Sequence, residues 1–366
     1  MEGGLMLYHL LYPLKEYFFA FNVFRYITFR AAYATVTALV ICFVLGPYLI
    51  RWLKRFQIGQ RIRKEAPASH NQKAGTPTMG GLLIITAAVV PTLLWANLRN
   101  PYIQLVLVVT VWTGLLGFWD DYLCVVRKRD KGLVGRYKLL GQLCFGAVLG
   151  IFLYFNPLVQ EGMTRTAVPF FKDLYIDWGV FYIPFVMMVV AGTSNAVNLT
   201  DGLDGLASGV AAFCFFAFAT LAYLSGHRVF AEYLNILYLD GGGELTIYCM
   251  SVVGAALGFL WFNTHPAQIF MGDTGSLALG GALGTVAVLL KREFLLVIIG
   301  GIFVAEAMSV IVQVASFRLT GKRVFKMAPL HHHFELKGWP ESRIVVRFWI
   351  VAVLLALLSI STLKLQ

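Results

Sequence analysis

Apolar residues run along this chain in repeated, almost uninterrupted blocks near the twenty residues a helix needs to cross a bilayer. About ten such blocks can be marked, near 26–50, 79–98, 102–119, 138–155, 178–194, 205–224, 246–262, 275–290, 294–317 and 344–363. Several are short or interrupted by glycine, and the fifth contains Pro184, which a membrane helix tolerates as a kink. Ahead of the first block, Leu5 to Phe24 is aromatic-rich with Lys15 and Glu16 interspersed, the pattern of a segment lying in the interface. The pattern predicts an all-α polytopic membrane protein. It forms one integral-membrane domain over residues 1–366, with an interfacial segment at 1–25 and helices and loops over 26–363.

Composition agrees with the pattern. Hydrophobic residues make up 58% of the 366 and charged residues only 13%, with a mean hydropathy of +0.73, too apolar for an ordinary soluble domain. No signal-peptide pattern with a cleavage site precedes the first long block. The five cysteines lie in or beside apolar blocks without CxxC or CxxH spacing, so they read as packing residues rather than a disulfide framework or zinc site.

The net charge of +11 changes the picture only once its placement is known. Loops 51–78, 120–137 and 318–343 with their flanks, including Lys138, carry twenty of the thirty Lys and Arg. Such clusters fit membrane orientation and anionic lipid or phosphate ligands and argue against nucleic acid. The positive-inside bias puts these loops in the cytoplasm and both termini in the periplasm. The two remaining loops on that face, 195–204 and 263–274, have no Lys or Arg but hold Asp201, Asp204 and Asp273. An acidic centre ringed by basic loops is the result, and it places the active site on the cytoplasmic face.

Candidate chemistry is concentrated there. In NAVNLTDGLDGLASG (195–209), Asn198, Asp201 and Asp204 are spaced three apart, which on a helix drifts only roughly 60° per step and keeps them on one face. Carboxylates between membrane-length apolar runs are costly unless a cation, substrate or water meets them. Asp120 and Asp121 fall at the predicted end of the third span, where the helix dipole disfavours an anion, and adjacent residues point about 100° apart, which suggests different roles. Asp273, in FMGDTGS, needs no function if it caps the eighth span, since Asp, Thr and Ser all cap well; capping and metal binding are compatible. Scattered single Asp residues suit Mg²⁺, which takes one or two carboxylates plus substrate phosphates and water. His331, His332 and His333 lack the spacing of a helical metal pair and, beside Lys326 and Arg323, suit a diphosphate. Lys73 sits in a loop with Thr76, Thr78 and Gly80-Gly81 that offers ligand-ready groups. Glu306 and Gln313, inside the ninth span at i and i+7, read as interhelical glue.

Five ordered motifs carry a resemblance: KAGTPTMGG (73–81), WDD (119–121), NAVNLTDGLDGLA (195–207), FNTHPA with FMGDTGS (262–276), and PLHHHFELKGWPE (329–341). Together they resemble the polyprenyl-phosphate N-acetylhexosamine-1-phosphate transferases over nearly the whole chain. The resemblance implies a ten-helix, homodimeric, Mg²⁺-dependent enzyme of the bacterial cytoplasmic (inner) membrane. Its expected reaction joins UDP-N-acetylmuramoyl-pentapeptide to undecaprenyl phosphate for peptidoglycan synthesis and releases UMP. By the same resemblance Asp273, Asp120 and Asp121 are catalytic and hold metal, with the second and third also serving the lipid phosphate. Lys73, Thr78, Asn198, Asp201, Asp204 and Asn263 line the nucleotide-sugar site, Lys138 joins them as a substrate-binding cation, and the three histidines stand near the phosphates. A sister transferase using UDP-N-acetylglucosamine is the enzyme alternative. A cation-coupled transporter is the alternative from another class, but it predicts repeated halves and acids at mid-membrane depth, whereas no repeat is evident and the acids cluster at one face.

Overall fold

The computed structural model describes residues 7, 12–17, 19–55, 75–127, 132–156, 164–171 and 174–365. Thirteen helices are used below: α1 (Ile27–Arg55), α2 (Gly81–Trp95), α3 (Pro101–Val125), α4 (Gly135–Phe155), α5 (Tyr182–Thr200), α6 (Leu206–Ser225), α7 (Arg228–Leu234), α8 (Leu245–Asn263), α9 (Gly272–Leu289), α10 (Glu293–Ile299), α11 (Gly301–Thr320), α12 (Leu330–Glu335) and α13 (Glu341–Ser361). Short 3-10 turns at Tyr12–Glu16 and Phe19–Arg25 precede them.

Among the described residues, eight segments are long and apolar enough to cross a membrane: those of α1, α3, α4, α5, α6, α8, α11 and α13. The chain is therefore a polytopic membrane protein. The two other expected spans are helices as well, but α2 has 15 residues and α9, with 18, is rich in glycine and opens on an aspartate. Pro184 falls in the first turn of α5, where a missing N–H breaks no helical bond, so it marks a start rather than a kink. The single span expected at 294–317 is divided: α10 ends at Ile299 and α11 begins at Gly301, with Gly300 out of helical geometry between them. The all-α expectation needs one amendment, a small antiparallel hairpin of β1 (Arg165–Ala167) and β2 (Tyr175–Asp177), with Arg165 paired to Asp177.

α9 is the axis of the bundle. Every residue from Thr274 to Leu289 is buried, and the helix packs most extensively against α3 and α5. Small residues permit this, because lipid gives apolar helices no hydrophobic drive to associate and close packing must supply it. A Cβ on Gly280 would stand 2.6 Å from the Ser194 Cα, and one on Gly281 2.7 Å from the Thr113 methyl. α6 and α8 form a second inner pair, while α1 and α11 are outer helices whose Val36, Val40, Ile311 and Val314 face outward. One end of α9 gathers Asp121, Lys138, Asn198 and Asp273.

Candidate active site

The N-terminus of α9 forms where the 77–81 segment, residues 270–271 and α3 meet at Gly272. Backbone pairing joins the 77–81 segment to 270–271: Phe270 N donates to the Pro77 carbonyl (2.8 Å), and Gly80 N and Gly81 N donate to the Phe270 and Met271 carbonyls (both 2.8 Å). Gly272 then takes a left-handed φ of +71°. A Cβ there would meet the Asp121 carboxylate at 2.7 Å and Thr78 Oγ1 at 3.0 Å, so only glycine lets the chain turn into α9 between them. Lys73, at the start of the same motif, lies outside the described residues.

α3 runs on to Val125, so Asp120 and Asp121 sit inside it rather than at its end, and the dipole argument made from a boundary at 119 does not apply. The two carboxylates have different partners. Asp121 accepts from Asp273 N (3.1 Å), Thr274 N (2.9 Å) and Thr274 Oγ1 (2.6 Å). It therefore caps α9 from another helix, satisfying N–H groups that α9 cannot satisfy itself. Asp273, for which capping alone would have been a sufficient reading, lies in the first turn with its carboxylate engaged elsewhere and is not the cap. Lys138 of α4 donates to Asp273 Oδ2, and Asn198 of α5 donates to Asp273 Oδ1 at 2.8 Å. The same Asn198 amide also donates to Ser276 Oγ (2.8 Å). Asp120 accepts from Leu133 N (2.7 Å) and lies 3.7 Å from Lys138 Nζ.

One carboxylate oxygen from each of Asp120, Asp121 and Asp273 falls within 4.8 Å of the others. Three buried or half-buried carboxyl groups gather around Lys138, the ammonium that meets them among the described residues, and this all-oxygen donor set fits a hard divalent cation. Asp121 already accepts three hydrogen bonds, which leaves Asp120 and Asp273 as the better donors.

The 195–209 stretch does not carry its acids on one helix face. α5 ends at Thr200, Asp201 leaves helical geometry (φ −78°, ψ 51°), and α6 starts after Gly205 at φ +78°. The glycines that make room also end the helix, so Asn198 points to Asp273 while Asp204 sits in a turn. Asp204 Oδ2 accepts from Ala267 N (3.1 Å) and lies 3.1 Å from His265 Nδ1; Glu341 Oε1 accepts from Asp204 N (2.7 Å). Asp204, His265 and Glu341 form a second cluster with ligand atoms within 4.8 Å of one another. Asn263 is buried and engaged throughout: its carbonyl accepts from Gly205 N (3.0 Å) and Ser208 Oγ (3.3 Å), and its amide donates to the Ile269 carbonyl (2.9 Å). It ties the 201–205 turn to the 263–271 loop.

The histidine box forms α12. His331 is buried with its ring beside Glu306, and His332 Nδ1 lies 2.6 Å from Glu335 Oε2. His333 Nδ1 accepts from Lys326 N (3.1 Å); partial burial, then Lys337 and Lys326, hold its pKa below the ordinary value. Glu306 does join two helices, α11 and α12, through His331, whereas Gln313 binds the loop before α12 rather than another helix. Gln313 Oε1 accepts from Val324 N (3.1 Å) and Phe325 N (2.9 Å), and its amide donates to the Phe325 carbonyl (3.1 Å). Sequence reasoning passed over Glu341, which lies inside a quoted motif but whose residue type does not separate it from an ordinary helix-start residue, and gave the serine of FMGDTGS no more than a capping part.

Comparison with known proteins adds to this geometry. The pattern of glycosyl transferase family 4 matches residues 103–291, and phospho-N-acetylmuramoyl-pentapeptide-transferase signature 1 matches residues 73–85. The phospho-N-acetylmuramoyl-pentapeptide-transferase of Thermodesulfovibrio yellowstonii is 53% identical over 362 residues, covering 99% of this chain and 100% of that protein. Those of Syntrophus aciditrophicus and Citrifermentans bemidjiense are 56% identical over 363 residues and 54% over 361, with the same coverage.

Proposed function

The chain belongs to the phospho-N-acetylmuramoyl-pentapeptide-transferases of glycosyl transferase family 4, and from that premise we propose how its site performs the transfer. The enzyme moves phospho-N-acetylmuramoyl-pentapeptide from UDP-N-acetylmuramoyl-pentapeptide to undecaprenyl phosphate, giving lipid I and UMP for peptidoglycan synthesis. A lipid-phosphate oxygen attacks the β-phosphorus of the UDP-sugar. The bond from that phosphorus to the bridging oxygen breaks, and the electron pair leaves on the α-phosphate of UMP. Both substrates are anions, so the enzyme's task is alignment and charge neutralisation rather than supplying a nucleophile.

The observation that carries this reading is the convergence of Asp120, Asp121 and Asp273 with Lys138 at the start of α9. Mg²⁺ held by Asp120 and Asp273 would neutralise phosphate charge there. Asp121 holds the first turn of α9, and Asn198 and Lys138 aim the Asp273 carboxylate. Lys138 also supplies a cation for the diphosphate. Thr78, Asp201 and Asp204, with Lys73, line the nucleotide-sugar side, and Asn263 keeps the turn in place. The histidine box stands near the phosphates. Ten helices cross the bacterial inner membrane with both termini periplasmic and this site cytoplasmic, and the enzyme works as a homodimer. Mass spectrometry of the lipid made by purified enzyme from both substrates tests the reading. Lipid I and equimolar UMP, lost on chelating Mg²⁺, are expected; undiminished product in chelator would overturn the metal assignment.

A further inference from the structure

Glu306 is a fully buried carboxylate in α11, an outer helix that otherwise buries only Ile302, Phe303 and Ser309. A carboxylate at such a position is kept only where it is met by a partner. Its carboxylate faces His331: Oε1 accepts from His331 N at 3.2 Å, and Oε2 lies 3.2 Å from the ring Nδ1. Two turns further on, Gln313 grips residues 324 and 325, so α11 fixes both ends of the segment leading into α12. On the far side of the ring, Nε2 stands 2.3 Å from where a Cβ on Gly202 would be. Both ring nitrogens are buried, and neither makes a well-aligned hydrogen bond. The ring therefore acts as a wedge between Glu306 and the turn that carries Asp201 and Asp204.

We propose that Glu306 is a positioning residue for the nucleotide-sugar site: it acts through His331 on Gly202 and sets the 201–204 turn for the UDP-linked substrate. The proposal rests on the reading of that turn as part of the nucleotide-sugar site. The Asp273 cluster is held separately by α3, α4 and α5, so loss of Glu306 reaches substrate binding and leaves the transfer step. A carboxylate on α11, an imidazole on α12 and a glycine in the 201–205 turn form a single contiguous path.

The test is steady-state kinetics with both substrates varied, on Glu306→Gln, Glu306→Ala and Gly202→Ala, with calorimetric UMP binding and melting temperature beside it. Glu306→Gln keeps an acceptor for His331 N and is expected to retain near-normal constants. Glu306→Ala is expected to raise KM for the UDP-linked substrate about tenfold or more, the scale of losing one buried charged hydrogen bond. Its kcat and KM for the lipid phosphate are expected to stay near wild type. Gly202→Ala, which drives a methyl into the ring, is expected to do the same, and the two changes together are expected to be less than multiplicative. Should Glu306→Ala fail to fold, Glu306→Asp, which draws the carboxylate back from His331, takes its place. A fall in kcat at unchanged KM, unchanged constants, or fully multiplicative effects would overturn the proposal. Failure of wild-type enzyme to bind UMP would instead overturn the underlying site reading.

Discussion

Asp120 and Asp121 are neighbours in sequence with separate tasks in the fold, and the separation is measurable. Asp121→Ala removes the cap of α9, so it is expected to lower stability by about 0.5–2 kcal/mol and to lower activity through a disordered first turn. Asp120→Asn keeps shape and the acceptor for Leu133 N, so its melting temperature is expected to stay near wild type while turnover falls. Melting curves of the two variants side by side check this; equal destabilisation would contradict it. Neither residue is expected to be a covalent nucleophile. Labelled UMP should therefore not exchange into the UDP-sugar when polyprenyl phosphate is rigorously absent, and clear lipid-free exchange would contradict direct displacement. At this scale the sequence announced which residues matter but not what each does. The 100° divergence of Asp120 and Asp121 was legible from helix geometry. The trans cap was not, because it depends on where α9 lands against α3.

Between elements, a buried polar ladder sets how α4 meets α5. Gln142 Nε2 donates to Ser194 Oγ (3.1 Å), Asn195 Nδ2 donates to Gln142 Oε1 (2.6 Å), and Ser194 Oγ donates to the Leu277 carbonyl of α9 (3.2 Å). Gln142 is one turn from Lys138, and Asn195 one turn from Asn198, so the ladder fixes the rotation that brings both to Asp273. Gln142→Leu removes one hydrogen bond from each of the Asn195 amide and the Ser194 hydroxyl, which keep the Ala191 and Leu277 carbonyls, and the two lost bonds are expected to cost about 1–3 kcal/mol. It should lower kcat more than it raises either KM, read by steady-state kinetics and a urea or thermal melt in detergent; unaltered kcat would show that the ladder is structural only. Helix positions followed from apolar run length within a few residues. The break at Gly300, the start at Pro184 and the 165–177 hairpin did not, because each depends on local backbone geometry that hydropathy ignores. The 201–205 turn was missed for a related reason: a three-residue spacing looks helical until Gly202 and Gly205 are allowed to end the helix.

For the whole molecule, segments that the charge pattern placed on one face do meet at one end of the bundle, bringing Thr78, Asp121, Asp273 and Asn198 together. What that pattern cannot supply is the depth and packing order of the helices, which follow from the small residues of α9. The sidedness is tested by single cysteines at exposed Lys322 and Arg228 in a cysteine-free background. In intact cells an impermeant maleimide is expected to label the second and not the first; equal labelling would contradict a cytoplasmic site. The central claim, that transfer takes place at the Asp120, Asp121 and Asp273 cluster with a divalent cation, is tested most directly by Asp273→Asn. Lipid I formation by the purified variant should be measured across a Mg²⁺ titration, with its melting temperature recorded on the same preparation. The expected result is a loss of turnover of about 10²-fold or more, the scale of removing one electrostatic stabiliser of a transition state, in a protein that still melts near wild type. Wild-type turnover at limiting Mg²⁺ would contradict the account.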